Sequence, residues 1–396
     1  MRLSERIQAV APSATLAVDA LVRKARAEGV DVVGFGTGEP DFDTPEHIKE
    51  AARAALAAGA TKYTATGGTA ELRAAICDDL ERRGLLYPPN QVMATTGGKQ
   101  ALYNAFQVLL NPGDEVLIPA PYWVSYVEMV RLAGGRPVIV PAVEEEGFVP
   151  RLEALTGACT ARTRALVINS PSNPTGEIWP AALLAQVAEL ALARDLILIS
   201  DEIYADLVYD GASALSVAGL SPDLKERTLV VNGVSKTYAM TGWRLGYAAG
   251  PAPLIQAMEN LQSHSTSNPS ALSQAAAVAA LTGPREPVER MRQEFAARRS
   301  LMVEGLRRLP GVSCRLPAGA FYAFPNVSGL YGRTIGGEVV YDSTSLARAL
   351  LQEARVAVVP GVAFGDDLHL RFSYATSRER IAEGLARLAA VLASLT

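Results

Sequence analysis

Short apolar runs alternate with helix-period stretches along most of the chain. Strand-like runs fall at 115–118, 137–140, 164–168, 196–200, 228–231 and 245–249, and helical patterns at 98–110, 124–133 and 180–194. This alternation predicts an α/β architecture, a largely parallel sheet covered by helices. Ahead of it, Thr44-Pro45 marks a helix through about Ala58 with proline at its first position. Thr69 caps an amphipathic helix to Arg83 that sets Ile76 and Leu80 on one face, and Gly84 ends it. Gly36 to Pro40 reads as an irregular loop.

The pattern changes toward the C-terminus. A helical region begins near Pro253, breaks around Ser263 to Pro269, and resumes as a long charged helix from about Pro284 to Arg308. Strand-like runs at 312–316, 320–324, 355–359 and 368–374 then mix with helices near 343–354 and 377–395, which predicts a second, smaller α+β lobe. No repeat or Gly/Ser linker separates the lobes, so they are expected to pack together around a cleft.

A length of 396 residues suits two lobes, and 49% apolar with 20% charged residues suits a compact globular chain. A formal net charge of −4 creates no field that gathers polyanions, which disfavours nucleic acid and anionic membrane and favours a small-molecule substrate. Cys77, Cys159 and Cys314 lie far apart and are odd in number, as expected of a reducing compartment. The N-terminal stretch lacks a signal-peptide core and no run of about 18 apolar residues occurs, so cytoplasmic residence is expected. His47, His264 and His369 are scattered, and no metal site is expected.

Several segments carry candidate chemistry. Lys236 follows a strand and Arg244 lies eight residues later; alone, the pair reads as two solvated loop charges. Ser200 to Tyr204 follows another strand and would emerge at the same sheet edge. There Lys236 could form a Schiff base with an aldehyde, while Asp201 could keep a pyridine nitrogen protonated so that the ring accepts electrons. Thr95 to Leu102 opens a helix with small residues, a seat for phosphate or simply a cap; the full nucleotide P-loop pattern is missing. Arg371, in the alternating strand Leu368 to Tyr374, could grip a carboxylate bidentately if it faces inward, or be an exposed strand charge. Trp123 reads as a core residue or as a stacking surface.

Eight motifs stand in order: GEPDFDTP at 38–45, KYTATGG at 62–68, TTGGKQAL at 95–102, PYWVSY at 121–126, NSPSNPTG at 169–176, SDEIY at 200–204, SKTYAMTGWRLGY at 235–247, and LRFSYA around Arg371. Together they resemble the aspartate aminotransferase family, class I/II enzymes that depend on pyridoxal 5'-phosphate (PLP), over essentially the whole chain. TTGGKQAL and PYWVSY are similar in wording to the bacterial subgroup of aspartate and aspartate/prephenate aminotransferases.

The resemblance implies the PLP-dependent transferase fold, with a large domain at 45–285 and a small one built from 1–44 and 286–396. It implies PLP as cofactor and ping-pong transfer of an amino group between L-aspartate or L-glutamate and a 2-oxo acid. Lys236 would be the Schiff-base lysine and proton carrier, Asp201 the partner of the pyridinium, and Tyr204 and Asn173 the donors to the ring's phenolic oxygen. Trp123 would stack on the ring. Arg244, with the backbone at Gly98 and Lys99, would hold the phosphate, and Tyr63 would reach the phosphate of a neighbouring subunit, implying a homodimer with shared sites. Arg371 and the Gly38 N–H would take the α-carboxylate, with Trp123 and Asn173 beside the substrate. The Lys99 side chain would take the distal carboxylate, and the loop around Thr15 would close over the bound substrate. The Asn173-Pro174 bond would be cis.

Two departures accompany the resemblance. Many relatives carry a phosphate-binding serine where this chain has Gly233, and Ser235 is the expected substitute. Prephenate-using relatives often carry a lysine where this chain has Ala11, which argues against that acceptor. The stretch SHSTSNP at 263–269 contains no arginine, leaving Lys99 as the distal-carboxylate candidate. The same cofactor motifs also serve C–S β-lyases and cyclopropane-forming synthases. A non-catalytic effector-binding module is the reading outside enzymes, though the stretch before residue 30 is too short for a helix-turn-helix domain.

Overall fold

The computed structural model describes residues 1–393. A two-residue strand, β1 (Val33–Gly34), precedes seven strands of one sheet. These are β2 (Val92–Thr95), β3 (Glu115–Ala120), β4 (Arg136–Pro141), β5 (Thr163–Asn169), β6 (Ile197–Asp201), β7 (Thr228–Gly233) and β8 (Gly246–Ala249). Their order across the sheet is β2-β8-β7-β6-β5-β3-β4. All run parallel except β8, which lies antiparallel between β2 and β7.

Helices cover both faces, so successive strand residues enter different cores. Ile199, Val116 and Ile118 pack with Leu102 and Phe106 of the helix Gly98–Leu109, while Leu198, Leu117 and Leu166 pack with Leu184 and Val187 of the helix Ala181–Arg194. Burial on both sides removes the polar alternation and leaves the continuous apolar runs seen in the sequence.

The C-terminal region adds β9 (Tyr322–Ala323), β10 (Thr334–Ile335), β11 (Glu338–Val339), β12 (Val356–Ala357), β13 (Val359–Pro360) and β14 (Leu370–Ser373). An antiparallel sheet has the order β13-β14-β9, β10 pairs with β11, and β1 pairs in parallel with β12. Val33 and Phe35 share a core with Phe295, Phe321, Phe372 and Leu385, so the N-terminal segment folds onto the C-terminal region. Among the described residues no helix is long and apolar enough to cross a membrane.

Several elements differ from the sequence expectations. The polar lead-in forms helices at Glu5–Gln8 and Ala14–Ala27, so Thr15 lies in the first turn of a helix and not in a loop. Thr44 is not a helix cap: Pro45 holds that place before Glu46–Ala57, while Thr44 Oγ1 donates to the Ala239 carbonyl at 2.7 Å and accepts from Trp243 Nε1 at 3.0 Å. The helical region after Pro251 is three helices, Ala252–Ser263, Ala271–Thr282 and Glu286–Arg307. The run 312–316 forms no strand; Ser313 makes an isolated bridge to Asn326. The last helix is Arg378–Leu392, and positions 394 and 395 of the expected helix lie outside the described residues.

Candidate active site

Parallel strands deliver their C-terminal ends to one edge, where the connecting loops converge. Asn169 ends β5, Asp201 ends β6, Gly233 ends β7 just before Lys236, and Thr95 ends β2 just before the helix that starts at Gly98. Because β8 is reversed, its first residue reaches the same edge two residues after Arg244. The loops enclose a cavity of ≈ 530 Å³. Gly98, Lys99, Trp123, Asn173, Asp201 and Tyr204 line it. So do Ser235, Lys236 and Arg244, with Arg371 from β14 and Gly38 and Thr15 from the N-terminal segment. Of the anticipated site residues only Tyr63 stands outside, 90% exposed.

The Lys236 amine donates to the Gly38 carbonyl at 2.5 Å. Burial brings this amine down to about 8, helped by the charges of Arg244, Arg371 and Lys99 and opposed by Glu39. Glu39 is itself held by the Thr241 hydroxyl at 2.7 Å. Asp201 shifts the other way: burial raises its carboxyl to about 6, against hydrogen bonds from the Tyr126 hydroxyl at 2.6 Å and the Ile203 N–H at 3.3 Å. Asn169 joins these elements, donating from Nδ2 to the Asp201 carbonyl at 3.1 Å and accepting the Asn173 N–H at 2.9 Å.

At the start of the helix Gly98–Leu109, backbone N–H groups lack intrahelical acceptors and the dipole favours an anion. Arg244 lies against this turn. Gly97 has φ 82, and any side chain there would collide with Arg244 Nη2. Arg244 Nη1 donates to the Thr241 carbonyl at 2.8 Å. The Lys99 amine sits 4.9 Å from the centre of the Trp123 ring, and burial, with Arg244 nearby, lowers its pKa.

Arg371 is 1% exposed, which settles the direction of its strand face. It donates to Asn173 Oδ1 at 3.0 Å and to the Gly36 carbonyl at 2.6 Å, with its guanidinium 4.6 Å from the ring centre of Tyr322. The hydroxyls of Tyr322 and Tyr204 are 2.8 Å apart. Tyr126, Tyr322, Glu39 and Asn169 were not singled out by the sequence. Three of them lie inside the motifs PYWVSY, GEPDFDTP and NSPSNPTG; Tyr322 carries no signal beyond an aromatic in a strand-like run.

The family model Aminotransferase class I and II matches residues 30–388. The chain belongs to this aminotransferase family. It is 51% identical to the aspartate/prephenate aminotransferase of Cereibacter sphaeroides, over 100% of this chain and 99% of that one. With the aspartate aminotransferase of Geobacillus stearothermophilus it shares 49% identity over 98% of both. Among solved structures, the aspartate aminotransferase of Rhizobium meliloti superposes with TM-score 0.97 at 45% identity, covering 100% of both chains. The Thermus thermophilus enzyme with maleate gives 0.93 at 48% identity, over 99% of this chain and 100% of that one.

This aminotransferase has the PLP-dependent transferase fold, and PLP is its cofactor. The cavity's donor set suits a phosphorylated pyridine aldehyde: a helix start under an arginine, a buried carboxylate with a raised pKa, an amine with a lowered one, and an indole wall. At position 233 the aminotransferase sheet leaves little room for a side chain. Gly233 and Gly246 are register partners, and a Cβ on Gly233 would stand 2.8 Å from the Gly246 Cα. Ser235, two residues on, lines the cavity instead. The Asn173–Pro174 bond is cis.

Proposed function

We propose that this aminotransferase exchanges an amino group between L-aspartate or L-glutamate and 2-oxoglutarate or oxaloacetate, working as a cytoplasmic homodimer. The observation that carries the substrate class is that, besides Lys236 and Arg244, the cavity holds two further cationic side chains, Arg371 and Lys99, one for each carboxylate. The Thermus thermophilus relative was solved with maleate, itself a dicarboxylate, and the relatives' names favour aspartate. Three free cysteines suit a reducing cytoplasm. Tyr63, exposed and outside its own cavity, is free to serve a partner's site. The shared core of Val33, Phe35 and Phe372 supports a small domain of 1–44 with 286–396 beside a large one of 45–285.

When bound, PLP supplies an electron-accepting ring that stabilises negative charge at the substrate Cα. Asp201 would hold the ring nitrogen, Tyr204 and Asn173 the ring oxygen, and Trp123 the ring face. Arg244, Ser235 and the backbone at Gly98 and Lys99 would hold the phosphate. Arg371 orients the α-carboxylate together with the Gly38 N–H, and Lys99 Nζ grips the distal carboxylate. Lys236 Nζ takes the proton from Cα; with its pKa near 8 a useful share of the amine is neutral at physiological pH, whereas an ordinary lysine is almost wholly protonated. Thr15 and Leu16, in the cavity wall, help exclude water.

Lys99→Ala tests the substrate class. Losing one charge-assisted contact of roughly 1.5–3 kcal/mol raises KM for aspartate about tenfold or more, with little change for a monocarboxylic donor. Equal effects on both donors would remove Lys99 as the specificity determinant.

A further inference from the structure

A half-buried ionic cluster outside the cavity touches the turn that carries Lys236. Its centre is Asp206, in the loop that follows Asp201 and Tyr204. The Asp206 carboxylate accepts from Arg83 at 2.7 Å, from Arg285 at 2.7 Å and from the Thr237 hydroxyl at 3.0 Å. Arg285 also donates to the Tyr238 hydroxyl at 2.7 Å. Arg83 reaches Asp79 at 3.4 Å, and Asp79 accepts the Tyr247 hydroxyl at 2.8 Å. Burial pushes the Asp206 carboxyl up, but the two arginines outweigh it and hold the group below its ordinary range.

Ion pairs of this kind are a poor source of stability, because desolvating the charges offsets much of their attraction. They are good at fixing geometry. Here the cluster ties together residues 206, 237, 238 and 247, which follow or belong to β6, β7 and β8. It also reaches Arg285, the residue that precedes the helix Glu286–Arg307.

The turn itself needs holding. Ala239 has φ 51, a left-handed conformation unfavourable for a residue with a side chain, so the surroundings must enforce it. Backbone bonds from Tyr238 N–H to Val234 O at 3.2 Å and from Met240 N–H to Ser235 O at 3.1 Å close the loop around Lys236. The Asp206 cluster then clamps residues 237 and 238 from outside.

We propose that Asp206 is a positioning residue for transamination: through Thr237, and through Arg285 to Tyr238, it fixes the two residues after Lys236 and links the start of the helix Glu286–Arg307 to the placement of the lysine amine. The inference rests on Lys236 being the lysine that carries PLP.

Thr237→Val keeps the side-chain shape and removes the hydroxyl, while Thr237→Ser keeps the hydroxyl. Three readouts are compared: the rate at which apo-protein takes up PLP, followed by absorbance; kcat and KM for aspartate; and the thermal midpoint. A hydrogen bond to a charged group predicts that Thr237→Val slows PLP uptake and kcat by about tenfold, with KM and Tm little changed, and that Thr237→Ser restores both. In an Asp206→Asn background, adding Thr237→Val costs little more, since the two act as one unit. Wild-type uptake and kcat in Thr237→Val would overturn the proposal, as would a Thr237→Ser variant as slow as the valine one. A wild-type protein that takes up no PLP would overturn the functional reading beneath it, and this inference with it.

Discussion

The Tyr126 hydroxyl donates to Asp201 Oδ2 at 2.6 Å, so a carboxylate only 5% exposed keeps a neutral donor on one oxygen. This bond works against burial, which has already raised the carboxyl to about 6. Tyr126→Phe therefore moves Asp201 further toward its protonated form and weakens its pairing with a cationic ring nitrogen. The expected result is a PLP Kd at least about tenfold higher, from a charge-assisted bond worth roughly 1.5–3 kcal/mol. An unchanged Kd would mean that Asp201 does not face the cofactor ring.

The buried amine of Lys236 makes the apo-protein's stability depend on alkaline pH. Its folded pKa, about 8, lies below the ordinary 10.5, so between these values the unfolded chain holds a proton that the folded chain has lost. Stability should then rise with pH across that window and not below it, by roughly 3 kcal/mol for this one group. Lys236→Met removes the rise and is the more stable protein near pH 7. Denaturant midpoints of the two apo-proteins from pH 7 to 10 measure the difference; a constant gap would refute the lowered pKa.

Gly233→Ser restores the serine found in many relatives but should not restore a contact. Its Cβ would press on the Gly246 Cα at 2.8 Å and the Leu245 carbonyl at 3.0 Å. The expected cost is about 1–3 kcal/mol, read as a lower Tm, without tighter PLP binding. A variant of wild-type stability with a lower Kd would show that the β7–β8 pair can open to admit the side chain.

Hybrid dimers test whether sites are shared. If Tyr63 serves the neighbour, mixing unfolded Tyr63→Ala and Lys236→Ala chains and refolding them together yields hybrids in which one site is intact. Activity should then exceed that of either parent. No gain in a verified hybrid would place Tyr63 outside the partner's site.

The parts legible in the sequence are those whose physics is local. Leu198 and Ile199 are buried on opposite faces, so β6 reads as an apolar run, and the position of Asp201 at its end follows directly. Lys236 is legible for the same reason, three residues past β7. By contrast β2 is four residues, Val-Met-Ala-Thr, too short to show a period, and its partner β8 gives no local sign of running backwards. The helix Ala271–Thr282 is apolar around most of its circumference and therefore lacks an amphipathic signature. Tyr322 reaches Arg371 only because β9 pairs with β14, with Tyr322 opposite Ser373. Asp206 looks like an ordinary loop charge until the fold brings Arg83, Arg285 and Thr237 to it.

The reversed direction of β8 has a mechanical consequence. An antiparallel neighbour needs no crossover to the far end of the sheet, and the return from β7 runs through residues 234–245, with Lys236 near one end and Arg244 near the other. Amine and guanidinium are thus carried on one short bracket whose two feet are bolted together where Gly233 meets Gly246. Inserting or deleting a residue in this bracket would displace both groups at once, so its length should be the least negotiable in the chain.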